Sequence, residues 1–119
     1  LLQSELPVRD NPHSPASAAY EMLQANLGFT TPDIVLKSIV VTSAIPHEGK
    51  SSVSANLAVA MAQIGRRVLV IDADLRRPSL HKLLQLPNDR GLSSLLTSSA
   101  PIPRQIDSRP PSLRNNISM

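Results

Sequence analysis

The first regular pattern in the chain is a set of apolar residues spaced as on one face of a helix. They are Ala16, Tyr20, Leu23 and Leu27. Ser14 and Pro15 stand just before this set, and Gly28 and Pro32 follow it. A serine side chain can cap the free N–H groups of a helix start, and proline fits the first turn because no donor is needed there. The pattern therefore predicts a helix that starts at residue 15 and ends near residue 28.

Two short β-branched runs flank a longer helical pattern in the middle of the chain. Residues 38–43 and 68–71 form these runs, which have the composition of strands buried on both faces. Between them, residues 51–64 contain no glycine or proline and repeat apolar residues at helical spacing, and Gly65 follows as a C-terminal cap. The order strand, helix, strand is a βαβ unit, which implies a parallel sheet with a right-handed crossover. The predicted fold class is α/β.

Short elements and two polar ends make up the rest of the chain. Leucine spacing predicts short helices over residues 79–86 and 92–96. Residues 1–14 are polar and contain prolines, so they predict a linker. Residues 98–119 are proline-rich without periodicity and predict an irregular or disordered tail. Residues 15–97 are then the N-terminal half of one domain, which we expect to be incomplete because only two sheet strands are clear.

Composition narrows the class of protein. A chain of 119 residues has room for one small domain. It has no cysteine, which excludes disulfides and cysteine-based zinc sites. The longest apolar run is far too short to cross a bilayer and the N-terminus has no signal-peptide pattern, so a soluble, cytoplasmic segment is expected. Because the first residue is Leu1 rather than Met, we expect further residues upstream.

The net charge is +3, and its basic part is concentrated between residues 65 and 90. A basic stretch can bind nucleic acid. Tyr20 and Phe29 are the only aromatic residues, however, so there is little on which bases could stack. The pattern favours phosphate contacts and a solvated face, and no nucleic-acid partner is expected.

The loop between the first predicted strand and the following helix matches a phosphate-binding motif. Residues 44–51 fit the Walker A pattern, with Ala44 in place of the usual first glycine. Backbone N–H groups of such a loop and of the helix start aim at one point and attract phosphate oxygens. Gly49 permits close approach, Lys50 supplies charge for the β and γ phosphates, and Ser51 offers a hydroxyl to Mg²⁺. The predicted residues of this ATP site are Pro46, His47, Glu48, Gly49, Lys50, Ser51 and Ser52.

Two carboxylates follow the second predicted strand. Asp72 closes that strand and Asp74 comes two residues later, at the sheet edge where ligands bind in parallel α/β folds. Mg²⁺ keeps several waters, so one direct and one water-mediated carboxylate would suffice, and Asp74 could also orient or deprotonate an incoming hydroxyl. The alternative is that the pair caps the next turn and pairs with Arg76 or Arg77. Beside a phosphate-binding loop we favour the metal site, with Ser51, Asp72 and Asp74 as ligands.

Three segments resemble the cytoplasmic domain of bacterial tyrosine kinases of the capsular and exopolysaccharide family. They are the Pro-x-Glu-Gly-Lys-Ser loop at residues 46–51, the Val-Leu-Val-Ile-Asp-Ala-Asp-Leu-Arg-Arg-Pro stretch at residues 68–78, and the Gly-Leu-Ser turn at residues 91–93. The second segment corresponds to that family's Walker A′ motif. The resemblance extends from residue 14 to about residue 96.

This resemblance implies a P-loop NTPase fold, autophosphorylation on tyrosine and control of polysaccharide synthesis and export. It also implies a membrane-spanning polysaccharide co-polymerase as activator, fused upstream or on a separate protein, at the inner face of the plasma membrane. On the same basis Lys50, Asp72 and Asp74 are the candidate catalytic residues. The family also implies a homo-oligomer, but its assembly motif is altered here. The matching positions hold Ala18, Glu21 and Gln24.

Two further departures from the family pattern leave alternatives open. Tyr20 is the only tyrosine, so the C-terminal tyrosine cluster is absent, and no strand ending in aspartate follows residue 78, so the Walker B carboxylate is missing. We therefore expect a fragment, or a gene truncated or frameshifted near residue 103. The alternatives are a catalytically inactive nucleotide-binding remnant and a partition or septum-site type ATPase. Ile45 argues against the last, because those ATPases carry a second lysine early in the loop.

Overall fold

The computed structural model describes residues 4–30, 35–98 and 117–118, the last two by their backbone alone. Its elements are α1 (Pro7–Asp10), α2 (Pro15–Phe29), α3 (Lys50–Gln63), β1 (Val68–Leu69), α4 (Leu80–Leu84), α5 (Leu92–Thr97) and β2 (Ile117–Ser118). The helices predicted near α3, α4 and α5 are therefore confirmed, with small shifts of their ends. Within the described ranges, no helix has the length and apolarity needed to traverse a bilayer.

Helix α3 forms the centre of the core. Six consecutive residues of it are buried: Ala55, Asn56, Leu57, Ala58, Val59 and Ala60. A helix that is buried all round must be covered on every side, and α3 packs against α1, α2, α4 and β1. Leu80 and Leu84 of α4 complete this core from one side. The start of α3, where the phosphate-binding motif lies, is therefore continuous with the buried core of the described residues.

Helix α2 begins as the sequence predicts and ends slightly later. The Ser14 hydroxyl accepts a hydrogen bond from the Ser17 N–H at 3.1 Å, and Pro15 occupies the first turn. The helix continues past Gly28 to Phe29. The N–H and the hydroxyl of Thr30 both donate to the carbonyl of Asn26, at 3.1 and 2.9 Å, and these bonds extend the last turn.

The sheet differs from the prediction. Residues 38–43 do not form a strand, and the side chain of Val40 is 87% exposed. Strand β1 is shorter than predicted and pairs in parallel with β2, with Val68 opposite Ile117 and Leu69 opposite Ser118. A strand is stable only beside a hydrogen-bonded neighbour, and residues 38–43 have none within the described part of the chain. The predicted buried strand at 38–43 is therefore wrong, whereas a parallel pairing of β1 is present.

The predicted ends of the chain also need correction. Residues 1–14 are not simply a linker, because Leu6 and Val8 are buried in the core beside α3. These two apolar side chains hold the otherwise polar segment against the core because α3 offers an apolar surface to cover them. That surface belongs to a distant part of the sequence, so residues 1–14 alone do not indicate the contact. Most of the predicted irregular tail, residues 98–119, lies outside the described residues. At 117–118 the structure has strand β2 instead.

A buried asparagine on α3 holds this N-terminal segment in place. Asn56 is fully buried; its Oδ1 accepts from Val8 N at 3.3 Å, and its Nδ2 donates to the carbonyls of Glu5 and Ser52, at 2.9 and 2.8 Å. The Gln63 side-chain amide adds a bond to the Val8 carbonyl at 3.2 Å. The segment is thus joined by hydrogen bonds to the same helix that begins at the phosphate-binding loop.

Replacing Asn56 by alanine is expected to lower the free energy of unfolding by about 2 kcal/mol, because buried backbone groups lose their partners. Urea denaturation monitored by circular dichroism measures this change. Asn88, which is exposed, provides the control: Asn88→Ala is expected to stay within about 0.5 kcal/mol of wild type. An Asn56→Ala protein as stable as the control would contradict the proposed role of these hydrogen bonds.

Candidate functional site

The loop before α3 gathers backbone N–H groups around one carboxylate. The N–H groups of Ala44 and Ile45 both donate to Oε2 of Glu48, at 3.1 and 3.3 Å. The Ser43 hydroxyl donates to the carbonyl of Ile45 at 2.8 Å and fixes the same turn. Neighbouring amides that meet on one anionic oxygen have the orientation that a phosphate-binding loop requires. Glu48, a predicted site residue, organises the loop from within.

The end of this loop adopts left-handed backbone at two positions. Gly49 has a φ of 84° and is the N-cap of α3, and His47 has a φ of 63°. Glycine adopts this conformation freely, whereas a residue with a Cβ is strained there by roughly 1 kcal/mol. Pro46 precedes the turn and is exposed. The conformation at Gly49 is what turns the chain from the loop into the helix.

The first turn of α3 presents the remaining residues of the predicted nucleotide site. Lys50, Ser51 and Ser52 are all half-buried, and the helical hydrogen bonds begin with Val53 N donating to the Gly49 carbonyl at 2.9 Å. The N–H groups of a first turn have no partner inside the helix, and the helix dipole adds partial positive charge there. A phosphate bound at this end would meet backbone donors and the lysine together.

Asp72 is placed at the start of the turn that leads from β1 to α4. Its carboxylate accepts three backbone N–H groups: Oδ1 from Asp74 at 3.1 Å, and Oδ2 from Ser79 at 2.9 Å and Leu80 at 3.1 Å. An ionised carboxylate has about four lone-pair positions, so one remains for a further ligand. Asp72 therefore caps α4 and can still take part in a site.

Ser79 joins Asp72 to the phosphate-binding loop. The hydroxyl oxygens of Ser79 and Ser51 lie 2.7 Å apart, while the Ser79 N–H is bonded to Asp72. Two of the three predicted metal ligands thus converge on one residue. Sequence reasoning placed Ser79 only at the start of the helix predicted over residues 79–86, where a serine ordinarily caps the helix. The available signal was that Asp72 could do this capping instead.

Asp74 makes its contacts only within its own turn. Its Oδ1 accepts the N–H groups of Arg76 and Arg77, at 3.2 and 3.0 Å, and its side chain is exposed. Both carboxylates therefore make the capping bonds that the alternative interpretation of this aspartate pair predicts. The ion pairs to the side chains of Arg76 or Arg77 that it also predicts do not form among the residues that the structure describes. Both bonds use Oδ1, which leaves Oδ2 of Asp74 for another group. The structure does not bring Asp74 into the cluster of Ser51, Ser79 and Asp72.

The donor set fits a magnesium ion that is bound mainly through phosphate and water. The described residues contain no group of three or more histidine, aspartate or glutamate side chains that could hold a metal. They do offer a serine hydroxyl and one carboxylate position, at Ser51 and Asp72. Mg²⁺ typically takes one or two carboxylates plus nucleotide phosphates and keeps several waters. The residues therefore suit Mg²⁺ with nucleotide better than a cation held by protein alone.

The comparison with protein families agrees with this loop and helix arrangement. The ParA family model, described as NUBPL iron-transfer P-loop NTPase, matches residues 34–108, which is more than half of the chain. The chain belongs to this family of P-loop NTPases.

Individual relatives point to a narrower group. The chain is 44% identical over 95 residues to Tyrosine-protein kinase YwqD of Bacillus subtilis (strain 168), a match that covers 80% of this chain and 40% of that protein. It is 40% identical over 87 residues to Tyrosine-protein kinase etk of Escherichia coli (strain K12), covering 73% of this chain and 12% of that one. The resemblance to bacterial tyrosine kinases is therefore confirmed.

A solved structure supports the same relationship. The crystal structure of the chimerical protein CapA2B2 matches with a TM-score of 0.74 and 46% identity, over 80% of this chain and 42% of that chain. A likeness at this level supports the P-loop fold for the described part of the molecule. The chain spans less than half the length of each of these three proteins.

Proposed function

We propose that this chain is the ATP-binding segment of a protein-tyrosine kinase that regulates capsular or exopolysaccharide synthesis and export. The observation that supports the proposal most is the geometry of the Walker A loop, which leads through Gly49, in left-handed conformation, into the buried helix α3. At the start of this helix, Ser51 is connected by hydrogen bonds through Ser79 to Asp72. Relatives named as tyrosine kinases favour this function over a partition-type ATPase.

The residues divide the chemistry between them. The loop amides and Lys50 would hold the β and γ phosphates of ATP, and Ser51 and Asp72 would hold Mg²⁺. The bound ion supplies positive charge that offsets the charge developing on the phosphates. Asp74, whose Oδ2 is not used by its own turn, accepts the proton of a tyrosine hydroxyl as its oxygen attacks the γ phosphorus. The bond from the γ phosphorus to the bridging oxygen breaks, and ADP leaves.

The acceptor tyrosine lies outside the described site. Tyr20, the only tyrosine of the chain, is half-buried and packs against the core, so it is not presented for transfer. The proposed activator is a membrane-spanning polysaccharide co-polymerase, fused or separate, which places the kinase at the inner face of the plasma membrane. Ala18 and Glu21 of α2, which stand at positions of the family's assembly motif, are exposed. Any contact between copies through this surface would therefore use side chains other than those of the family motif.

The second candidate is a nucleotide-binding remnant without catalysis, which the capping bonds of both aspartates favour. To distinguish the kinase from the remnant, the chain is incubated with γ-labelled ATP, Mg²⁺, a glutamate–tyrosine copolymer and a co-polymerase fragment, and label on the copolymer is measured. Phosphotyrosine on the copolymer, lost in Lys50→Ala and kept in Lys82→Ala, is expected for the kinase. Binding of ATP without any transfer would leave the remnant as the function.

A further inference from the structure

Ser79 uses its hydroxyl in an unusual way for a serine at a helix start. Such a serine normally accepts a hydrogen bond from an N–H of its own first turn. Ser79 is the N-cap of α4 but makes no bond of this kind. The carboxylate of Asp72 replaces it, because its Oδ2 accepts the N–H groups of Ser79 and Leu80. The hydroxyl of Ser79 is therefore free to serve another element.

That other element is the phosphate-binding helix. Ser79 Oγ lies 2.7 Å from Ser51 Oγ, the usual distance of a hydrogen bond between two hydroxyls, and both residues are half-buried. A hydroxyl oxygen has two lone pairs. Ser51 can therefore accept from Ser79 with one lone pair and offer the other to a cation.

We propose that Ser79 is a positioning residue of the magnesium site: its hydroxyl fixes the side chain of Ser51, and its N–H fixes the carboxylate of Asp72. This inference rests on the proposed function, since it assigns Ser79 to the same nucleotide and metal site. Ser79 then sets the distance between the Ser51 hydroxyl and the Asp72 carboxylate, the two groups that would hold Mg²⁺. Residues that hydrogen-bond to metal ligands commonly control metal affinity in this way.

A purely structural role for this bond is the competing explanation. Helix α4 is already held against α3 by the buried side chains of Leu80 and Leu84. Loss of the Ser79 hydroxyl would then leave the fold intact and change only the metal site. The magnesium dependence of nucleotide binding distinguishes the two roles, because a merely structural bond would not affect it selectively.

The test measures binding of a fluorescent ATP analogue to the full chain while Mg²⁺ is titrated. The midpoint of this titration is the Mg²⁺ concentration that gives half of the maximal increase in analogue binding. Ser79→Ala is expected to raise this midpoint by about tenfold, the lower end of the effect of losing a hydrogen-bond partner of a metal ligand. Affinity for the analogue without metal should stay unchanged. Ser79→Thr keeps the hydroxyl and suits an N-cap, so it should restore the wild-type midpoint.

Two further variants keep the test decisive. Ser79→Gly removes the hydroxyl with a residue that helix starts tolerate, and it should repeat the result of Ser79→Ala if the alanine protein folds poorly. Ser54→Ala is the matched control, because the half-buried Ser54 hydroxyl donates to the Lys50 carbonyl and not to Ser51. Its midpoint should equal that of wild type.

The outcomes separate this inference from the proposed function. A wild-type chain that binds the analogue with Mg²⁺, together with an unchanged midpoint in Ser79→Ala or Ser79→Gly, would overturn the role of Ser79 alone. An equal shift in Ser54→Ala would also overturn it, because the effect would not belong to the Ser51 contact. A wild-type chain with no binding at any Mg²⁺ concentration would overturn the proposed function itself, and with it the metal site to which Ser79 is assigned.

Discussion

Replacing Lys50 by alanine is expected to weaken binding of a fluorescent Mg·ATP analogue by about 100-fold. The lysine stands at the first turn of α3, beside the amides that the loop gathers around Glu48. A hydrogen bond to a charged group contributes roughly 3 kcal/mol at most, which corresponds to about two orders of magnitude in affinity. Fluorescence anisotropy with increasing protein concentration measures the change directly.

Lys82→Ala is the matched control for this substitution. Lys82 is exposed on α4 and carries the same charge, so its removal changes the net charge equally but leaves the loop intact. Its affinity for the analogue should remain within about twofold of wild type, as for surface substitutions away from a site. Equal losses in both variants would mean that general charge, and not the loop, attracts the nucleotide.

Replacing Asp74 by asparagine is expected to slow phosphate transfer to a tyrosine copolymer by about 100-fold, the lower end of what a general base contributes. Asparagine keeps a side-chain oxygen for the N–H groups of Arg76 and Arg77, so the turn should persist. The analogue should still bind with wild-type affinity. Labelled phosphate recovered on tyrosine per unit time, at saturating Mg·ATP, is the measurement.

Arg90→Ala serves as the control for the transfer assay, because Arg90 is exposed and lies outside the turn that contains Asp74. Its transfer rate should equal that of wild type. Transfer at the wild-type rate by Asp74→Asn would remove the proposed proton acceptor. A loss of binding in the same variant would place Asp74 in the nucleotide site instead.

Local signals were sufficient to predict helices α2 to α5 and the loop, but not α1, which lies in a segment interpreted as a linker. Ser14 and Pro15 mark the start of α2 by their own chemistry, and Gly49 permits the left-handed turn that leads into α3. The Walker A pattern identifies the loop from sequence because phosphate binding needs mostly backbone N–H groups. The positions of these groups follow from the loop and the helix start alone. These features depend on residues close together in sequence.

Contacts between distant segments could not be predicted from the same signals. The strand expected at residues 38–43 had the right composition, but a strand also needs a neighbour, and β1 pairs with β2 instead. The seating of Val8 depends on Asn56, and the position of Ser51 depends on Ser79. In both of these hydrogen bonds a polar side chain meets a partner more than 20 residues away, which periodicity does not reveal.

Nuclear magnetic resonance of the ¹⁵N-labelled chain, titrated with Mg²⁺ and a non-hydrolysable ATP analogue, tests whether residues 44–52 bind nucleotide. We expect the largest amide shifts at residues 44–52, with further shifts at Asp72 and Ser79 that require Mg²⁺. Shifts confined to the exposed residues Arg66 and Arg67, or no saturable shifts at all, would contradict a nucleotide site at residues 44–52.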